Sequence, residues 1–136
     1  MKKFNVTYEQ IASYSNIYAA YLDARKGKRE RNEIMRFSLE LDAHLNDLYN
    51  DLQEERYKVS GYRIIYIYVP KKRLIMALQF RDRVLQWAVY RLLNPLYEKT
   101  YIKDSYACIK ERGREKAASR LQYWLRQTER KPKQYY

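Results

Sequence analysis

One stretch of this chain has the alternating, β-branched pattern of paired strands, while apolar residues elsewhere recur with helical spacing. Residues 62–69 are rich in Ile, Tyr and Val, a tight basic turn follows at Pro70, and residues 74–80 would form the returning strand. This pattern predicts an antiparallel hairpin. The flanking segments carry apolar residues every three or four positions, as amphipathic helices do. We therefore predict an α+β fold that is mostly helical, with one antiparallel β-hairpin.

Two helices are predicted within residues 7–56. Thr7 and Gln10 form a capping-box sequence that would start the first helix. The residues expected on its inward face are Ile11, Tyr14, Tyr18, Tyr21 and Leu22. The second helix should run from about residue 32 to 56 on the stripe Ile34, Phe37, Leu41, Leu45, Leu48 and Leu52. Its carboxylates are predicted to form a solvated outer face: Glu40, Asp42, Asp47, Asp51 and Glu54.

Further helices are predicted within residues 83–128. Asp82 is a good N-cap for a helix over residues 83–93, which Asn94 and Pro95 should end. An irregular segment over 103–112 should precede a last helix from Gly113 to about 128. Its expected inward residues are Ala117, Leu121, Trp124, Leu125 and Thr128. Residues 129–136 form a basic tail, and we treat residues 1–136 as a single domain.

The charge of the chain predicts a polyanionic partner. Its net charge is +12, and residues 57–136 hold nineteen Lys or Arg against six Asp or Glu. Such an excess attracts nucleic acid or acidic lipid, of which nucleic acid is the more common partner. The chain has one cysteine and no run of eighteen apolar residues. A reducing, cytoplasmic location is therefore expected, without a membrane partner.

Catalytic signatures are missing from the sequence. The chain has one histidine, His44, one cysteine, Cys108, and no Gly-rich phosphate loop, so hydrolase and nucleotide-fold motifs are absent. The paired carboxylates with which polymerases hold two metal ions are not found either. We predict no catalytic residue and no metal ligand in this chain. Sixteen tyrosines offer stacking faces for bases, although most are expected to be half-buried with a wet hydroxyl.

Several blocks in order resemble the opening of bacterial reverse transcriptases, in the group of diversity-generating retroelement, retron and group II intron enzymes. The blocks are Ala24–Arg29, Val69–Arg73, Phe80–Ala88 with its continuation Leu93–Lys99, and Asp104–Cys108 followed by Gly113 and Ala117. The resemblance covers roughly residues 24–126. The sequence departs from the family at Glu115, where histidine is frequent, and its hairpin is shorter than in group II intron enzymes.

The resemblance implies that the chain is the fingers part of a right-hand polymerase. Lys71, Lys72 and Arg73 would bind the triphosphate of the incoming dNTP. The positions that would contact the RNA template or RNA–DNA hybrid are Arg25, Lys28, Arg29, Arg81, Arg83, Gln86, Ser105, Tyr106, Ala107, Arg112 and Arg114. The loop around Arg25 is predicted equally well to be a solvated turn. Asp82 is interpreted as a structural cap or ion pair, and Ala107 equally as a core residue.

Palm, thumb and catalytic aspartates of such an enzyme are expected outside this sequence. The full-length enzyme would use Mg²⁺, while this chain needs no cofactor of its own. The alternative is a stand-alone, non-catalytic nucleic-acid-binding or accessory protein, and the weakest alternative is a basic protein-interaction module.

The missing carboxylates generate a first prediction. The pure 136-residue chain should not extend a primer on an RNA template, because two metal ions cannot be held without those groups. The measurement is a primer-extension assay with Mg²⁺ and all four dNTPs. Extension that depends on Mg²⁺ would contradict our inventory of catalytic groups.

Overall fold

The computed structural model describes residues 5–130, which form a small α+β protein. Six helices and one antiparallel two-stranded sheet are found in this range. In chain order they are α1 (Tyr8–Ile11), α2 (Tyr14–Ala24), α3 (Asn32–Leu39), α4 (Leu41–Gln53), β1 (Arg63–Ile67), β2 (Arg73–Ala77), α5 (Phe80–Tyr97) and α6 (Arg114–Arg130). The chain divides after Pro95 into two compact units.

Each of the two predicted N-terminal helices is a pair of shorter helices. Ser13 divides the first, because its Oγ accepts a hydrogen bond from the backbone N–H of Asn16 at 3.3 Å and caps α2. The capping box of Thr7 and Gln10 is present at α1, as predicted. The second helix is divided at Glu40, whose backbone leaves the helical region with φ −115° and ψ 43°.

The core of the first unit lies between the N-terminal helices and the start of α5. The predicted stripe of α3 and α4 is confirmed, since Ile34, Leu45 and Leu48 are fully buried and Leu41 packs at its edge. Three aromatic rings meet inside this core: the Phe37 ring lies 5.9 Å from that of Tyr21 and 5.0 Å from that of Phe80.

The predicted inward face of the first helix was wrong except at Tyr21. The core face of α2 consists of Ile17, Ala20, Tyr21 and Ala24, at helical spacing. The residues left half-buried or exposed are Ile11, Tyr14, Tyr18 and Leu22. Alanine gives a weak apolar signal in a sequence, but its small side chain lets helices approach closely.

The predicted hairpin is confirmed. β1 pairs with β2 in antiparallel register from Arg63 opposite Ala77 to Ile67 opposite Arg73. No residue of either strand is buried, although most of them are apolar. The hairpin therefore projects from the unit rather than covering its core.

Asp82 has a different structural role from the predicted N-cap. Because α5 begins at Phe80, Asp82 lies within its first turn, and it is only 3 % exposed. Its carboxylate accepts hydrogen bonds from the Tyr57 hydroxyl and from the backbone N–H and hydroxyl of Ser60. Asp82 thus ties the segment before β1 to the helix after β2.

Burial, and then the hydrogen bond to Asp82, raise the pKa of the Tyr57 hydroxyl well above its usual value. The phenol therefore remains a protonated donor throughout the neutral range. Because the folded-state pKa exceeds the value of about 10 expected in the unfolded chain, the stability from this contact is complete below that pH and is lost as the pH rises further.

Two expectations for the C-terminal half were wrong. Asn94 and Pro95 do not end the helix, because α5 continues to Tyr97. Helix α6 buries none of its residues, and the predicted inward residues Leu121, Trp124 and Leu125 are 43–55 % exposed. Of the predicted tail, 129 and 130 belong to α6, while 131–136 lie outside the described residues.

Within residues 5–130, no helix combines the length and the apolar character needed to cross a membrane.

Removal of the Asp82 carboxylate should destabilise the first unit. Asp82→Ala leaves the Tyr57 hydroxyl and the Ser60 N–H without their acceptor, and we expect a loss of about 2–3 kcal/mol in the free energy of unfolding. The measurement is urea denaturation followed by the fluorescence of Trp87 in a Trp124→Phe background. The control Asp47→Ala removes an exposed carboxylate of α4 and should change stability by less than about 0.5 kcal/mol. Equal effects of the two substitutions would show that the contact is unimportant.

Candidate nucleic-acid interface

The tip of the hairpin carries the three cations predicted to bind nucleotide. Lys71, Lys72 and Arg73 are all exposed. The Nζ of Lys72 lies 5.3 Å from the ring centre of Tyr66 and 5.8 Å from that of Tyr68, which holds this cation against the aromatic rings. Within residues 5–130, neither Lys71 nor Arg73 has an ion-pair partner, so their charge is available to an anionic ligand.

Both faces of the hairpin are apolar and open to solvent. The register places Ile64, Tyr66, Leu74 and Met76 on one face, each of them 52–58 % exposed. The opposite face carries Ile65, Ile67 and Ile75. A two-stranded sheet without a covered face is marginally stable in water. A ligand or partner that covered one of these faces would therefore stabilise the hairpin.

Of the three cations predicted as template contacts in the basic loop between α2 and α3, one is fixed and two are exposed. The guanidinium of Arg25 donates a hydrogen bond to the Tyr21 hydroxyl at 2.8 Å and lies over the Tyr21 ring. Lys28 and Arg29 are exposed, with no ion pair within the part of the chain described. Arg25 thus supports the loop, while Lys28 and Arg29 remain the candidates for phosphate contact.

Arg81 and Arg83 are engaged in packing α5 against the acidic helices. Arg81 pairs with Asp51, and Arg83 pairs with Glu33 at 2.7 Å. Because Asp51 is half-buried and paired in this way, it does not belong to a purely solvated acidic face as predicted. Contact of these two arginines with a template stays a prediction, and it would compete with their carboxylate partners.

Gln86 lies beside an aromatic pair that the sequence analysis did not identify as a site. The Trp87 and Tyr90 rings are 5.2 Å apart in a T-shaped arrangement, and 38 % and 47 % of these residues are exposed. Arg83, Gln86, Trp87 and Tyr90 line one shallow depression. The sequence feature that could have indicated this pair is the i, i+3 spacing of two aromatic residues outside the buried stripe of Val84 and Ala88. The pair offers a stacking surface for bases.

In the second unit, Asp104 is the centre of a small polar cluster. Its carboxylate accepts hydrogen bonds from Arg120 at 2.9 Å and from the Tyr106 hydroxyl at 3.1 Å. The Arg120 guanidinium also lies over the Tyr123 and Trp124 rings. Desolvation and the bond to Asp104 raise the pKa of the Tyr106 hydroxyl. Tyr106 is therefore oriented by Asp104, and its contact with a template stays a prediction.

The remaining predicted template residues surround this cluster. Arg112 donates to the backbone carbonyls of Lys103 at 3.0 Å and Ser105 at 3.2 Å, so it closes the loop on itself. Ala107 is exposed rather than part of a core. Arg114 is also exposed, without an ion pair inside residues 5–130, and it is the best-placed predicted cation of this unit.

The predicted residues thus fall into separate groups. The hairpin tip, the loop after α2 and the start of α5 belong to the first unit, whereas residues 105–114 belong to the second. No group of His, Cys, Asp and Glu within residues 5–130 has the arrangement of a metal site. His44 instead stacks on Phe37, with ring centres 4.6 Å apart.

Comparison of the chain with protein-family models and with curated proteins finds no match to either.

The aromatic pair on α5 generates a prediction for single-stranded RNA. Trp87→Ala should weaken binding of a 16-nucleotide oligo(U) about tenfold, because stacking of a base on an aromatic ring contributes about 1–3 kcal/mol. The dependence on salt should stay unchanged, since no cation is removed. Fluorescence anisotropy at several salt concentrations measures both quantities. Trp87→Phe keeps a stacking ring and should retain most of the affinity, and equal losses in the two variants would exclude stacking.

Proposed function

We propose that this chain is the N-terminal fingers part of an RNA-directed DNA polymerase. It binds the backbone of an RNA template or RNA–DNA hybrid and grips the triphosphate of the incoming dNTP. The observation that carries the proposal is the hairpin tip, where Lys71 and Arg73 are exposed and have no ion pair within residues 5–130.

The positions of the resembling blocks support this function. Val69–Arg73 forms the end of the hairpin, and Phe80–Ala88 begins the helix that anchors it. Lysine supplies a point charge and arginine a planar fork, which together suit the oxygens of a triphosphate. A hairpin that carries such cations at its end and is tied at its base by Asp82 can present them to a ligand.

The distribution of charge favours nucleic acid over a protein partner. Several acids of the first unit are engaged internally: Asp51 pairs with Arg81, Glu33 with Arg83, and Asp23 with Arg91. The cations without an ion pair within residues 5–130 include Lys28 and Arg29 of the loop after α2 and Lys71 of the hairpin tip. The Trp87–Tyr90 pair supplies a stacking surface. Cations with exposed aromatic rings are the combination by which proteins bind single strands.

The remainder of such a polymerase, with its palm, thumb and Mg²⁺-binding carboxylates, would complete catalysis. The exposed apolar faces of the hairpin are surfaces that the palm or a bound hybrid would cover. If the chain is instead an accessory protein, it binds RNA without binding nucleotide. Binding of dNTP therefore separates the two functions.

The roles of two cation pairs can be separated by titration. The double variant Lys71→Ala with Arg73→Ala should weaken binding of dTTP at least tenfold and leave RNA affinity nearly unchanged, because these residues are assigned to the triphosphate. Arg114→Ala with Lys116→Ala should weaken RNA binding and flatten its logarithmic salt dependence by about 1.4, or 0.7 per lost phosphate contact. Anisotropy and calorimetry measure the two ligands.

The control for both pairs is Lys58→Ala with Lys99→Ala, which removes two exposed charges outside the proposed interface. It should leave binding of both ligands close to that of the unaltered chain. If the hairpin pair dominates RNA affinity while dTTP binding is unaffected, the two roles are assigned the wrong way round. If neither pair differs from the control, the proposed function fails.

A further inference from the structure

A second cationic feature lies at the base of the hairpin. An open cleft of about 640 Å³ is bordered by α3, α4, the start of β1 and the start of α5, all within the first unit. Its lining includes the guanidinium groups of Arg36, Arg63 and Arg81. Among the predicted site residues, Arg81 alone lines this cleft.

Positive charge in the cleft is only partly neutralised. The one carboxylate of its lining, Glu33, pairs with Arg83 at 2.7 Å, and Arg81 is held by Asp51. Arg36 and Arg63 are exposed and have no ion pair anywhere in residues 5–130. Two guanidinium forks therefore border the cleft without an anion.

One wall of the cleft is flat and rigid. The His44 imidazole stacks on the Phe37 ring with an interplanar angle of 19°, and both residues line the cleft. Phe37 is in turn held by the Tyr21 and Phe80 rings. A half-buried imidazole backed by this aromatic cluster is a suitable platform for a planar base.

We propose that this cleft binds a nucleoside phosphate, with its phosphate group between Arg36 and Arg63 and its base on His44. The volume falls in the range of about 300–1,000 Å³ typical of small-molecule sites. Arginine forks donate paired hydrogen bonds to phosphate oxygens. The ligand is either a free nucleotide or one nucleotide of a strand, which share this chemistry.

The register of the hairpin connects the cleft to its tip. Arg63 lies on the same face as Ile65 and Ile67, and Arg73 is directly opposite Ile67. The two arginine positions are four residue steps apart along the hairpin, a rise of about 13 Å. A nucleic-acid strand with one nucleotide bound in the cleft would therefore pass along this apolar face of the hairpin toward Arg73.

This cleft is a separate site from the tip proposed to grip the dNTP triphosphate. It does not depend on the polymerase assignment, and the variants that test it leave Lys71 and Arg73 in place. Failure of the cleft proposal would thus be visible while tip binding persists, and the reverse also holds.

The experiment uses His44, which is the only histidine of the chain and so gives unique imidazole proton signals by NMR. Adenosine 5′-monophosphate should shift these signals saturably through the ring current of the stacked base. Inorganic phosphate should bind at least tenfold more weakly and produce no such ring-current shift. Absence of a His44 shift with the nucleotide, or equal binding of phosphate alone, would overturn the proposal.

The guanidinium groups are tested by Arg36→Gln with Arg63→Gln, expected to weaken nucleotide binding at least tenfold. Lys58→Gln with Lys99→Gln removes two exposed charges outside the cleft lining and should change nucleotide binding less than twofold. If the cleft pair reduces folding by circular dichroism, Arg36→Lys serves instead: it keeps the charge without the fork and should weaken binding severalfold. Unchanged binding in a folded cleft variant would overturn the proposal.

A pentanucleotide oligo(A) without terminal phosphates distinguishes the two sources. If it shifts His44 and competes with the mononucleotide, the cleft accepts a nucleotide of a strand. If only the mononucleotide does so, the ligand is a free nucleotide, and both results support the cleft. An acidic peptide of five glutamates that displaces the mononucleotide with equal affinity would overturn it in favour of a protein partner.

Discussion

The placement of the hairpin depends on the buried carboxylate of Asp82. Because neither face of the hairpin packs on the core, apolar burial cannot fix its direction. Asp82 instead binds Tyr57 and Ser60 on the segment that enters β1, while itself belonging to the helix that follows β2. Asp82 thus holds both ends of the hairpin. Its burial is tolerated because its carboxylate accepts hydrogen bonds from Tyr57 and Ser60.

Charge is divided between structure and surface in the first unit. Arg81, Arg83 and Arg91 of α5 each pair with a carboxylate on another helix, so these arginines position α5. Other cations, at the hairpin tip, in the loop after α2 and in the cleft, lack such partners within residues 5–130. The net charge of the whole chain therefore does not show which of its cations are engaged in ion pairs and which are exposed to a ligand.

Periodicity predicted the elements whose signal is local. The stripe of Ile34, Leu45 and Leu48 and the strand pair around Pro70 were found where expected, because spacing and β-branched composition are read directly from the chain. The core face of α2 was missed, since Ala20 and Ala24 contribute through close approach rather than through size. Helix α6 has an apolar stripe at Leu121 and Trp124, which predicted a buried face. Periodicity does not show which residues pack on such a face, and none of the described residues buries it.

The site was less predictable than the fold because its geometry depends on tertiary contacts. Asp82 looks like a cap in the sequence, and only its meeting with Tyr57 and Ser60 reveals a buried tie. Arg36 and Arg63 are separated by 27 positions and belong to no shared motif, so their common cleft is visible only in three dimensions. The hydrogen bonds of Arg112 to two backbone carbonyls were likewise not evident in the sequence, and its contact with a template stays a prediction.

The uncovered hairpin has a consequence for the behaviour of the protein in concentrated solution. Both of its edges present unpaired backbone groups, which favour pairing with a second copy. The cations at its end oppose that approach, since like charges repel over a Debye length of about 10 Å at 0.1 M salt and only about 3 Å at 1 M. High ionic strength would thus remove the electrostatic barrier that keeps the hairpins of neighbouring molecules apart.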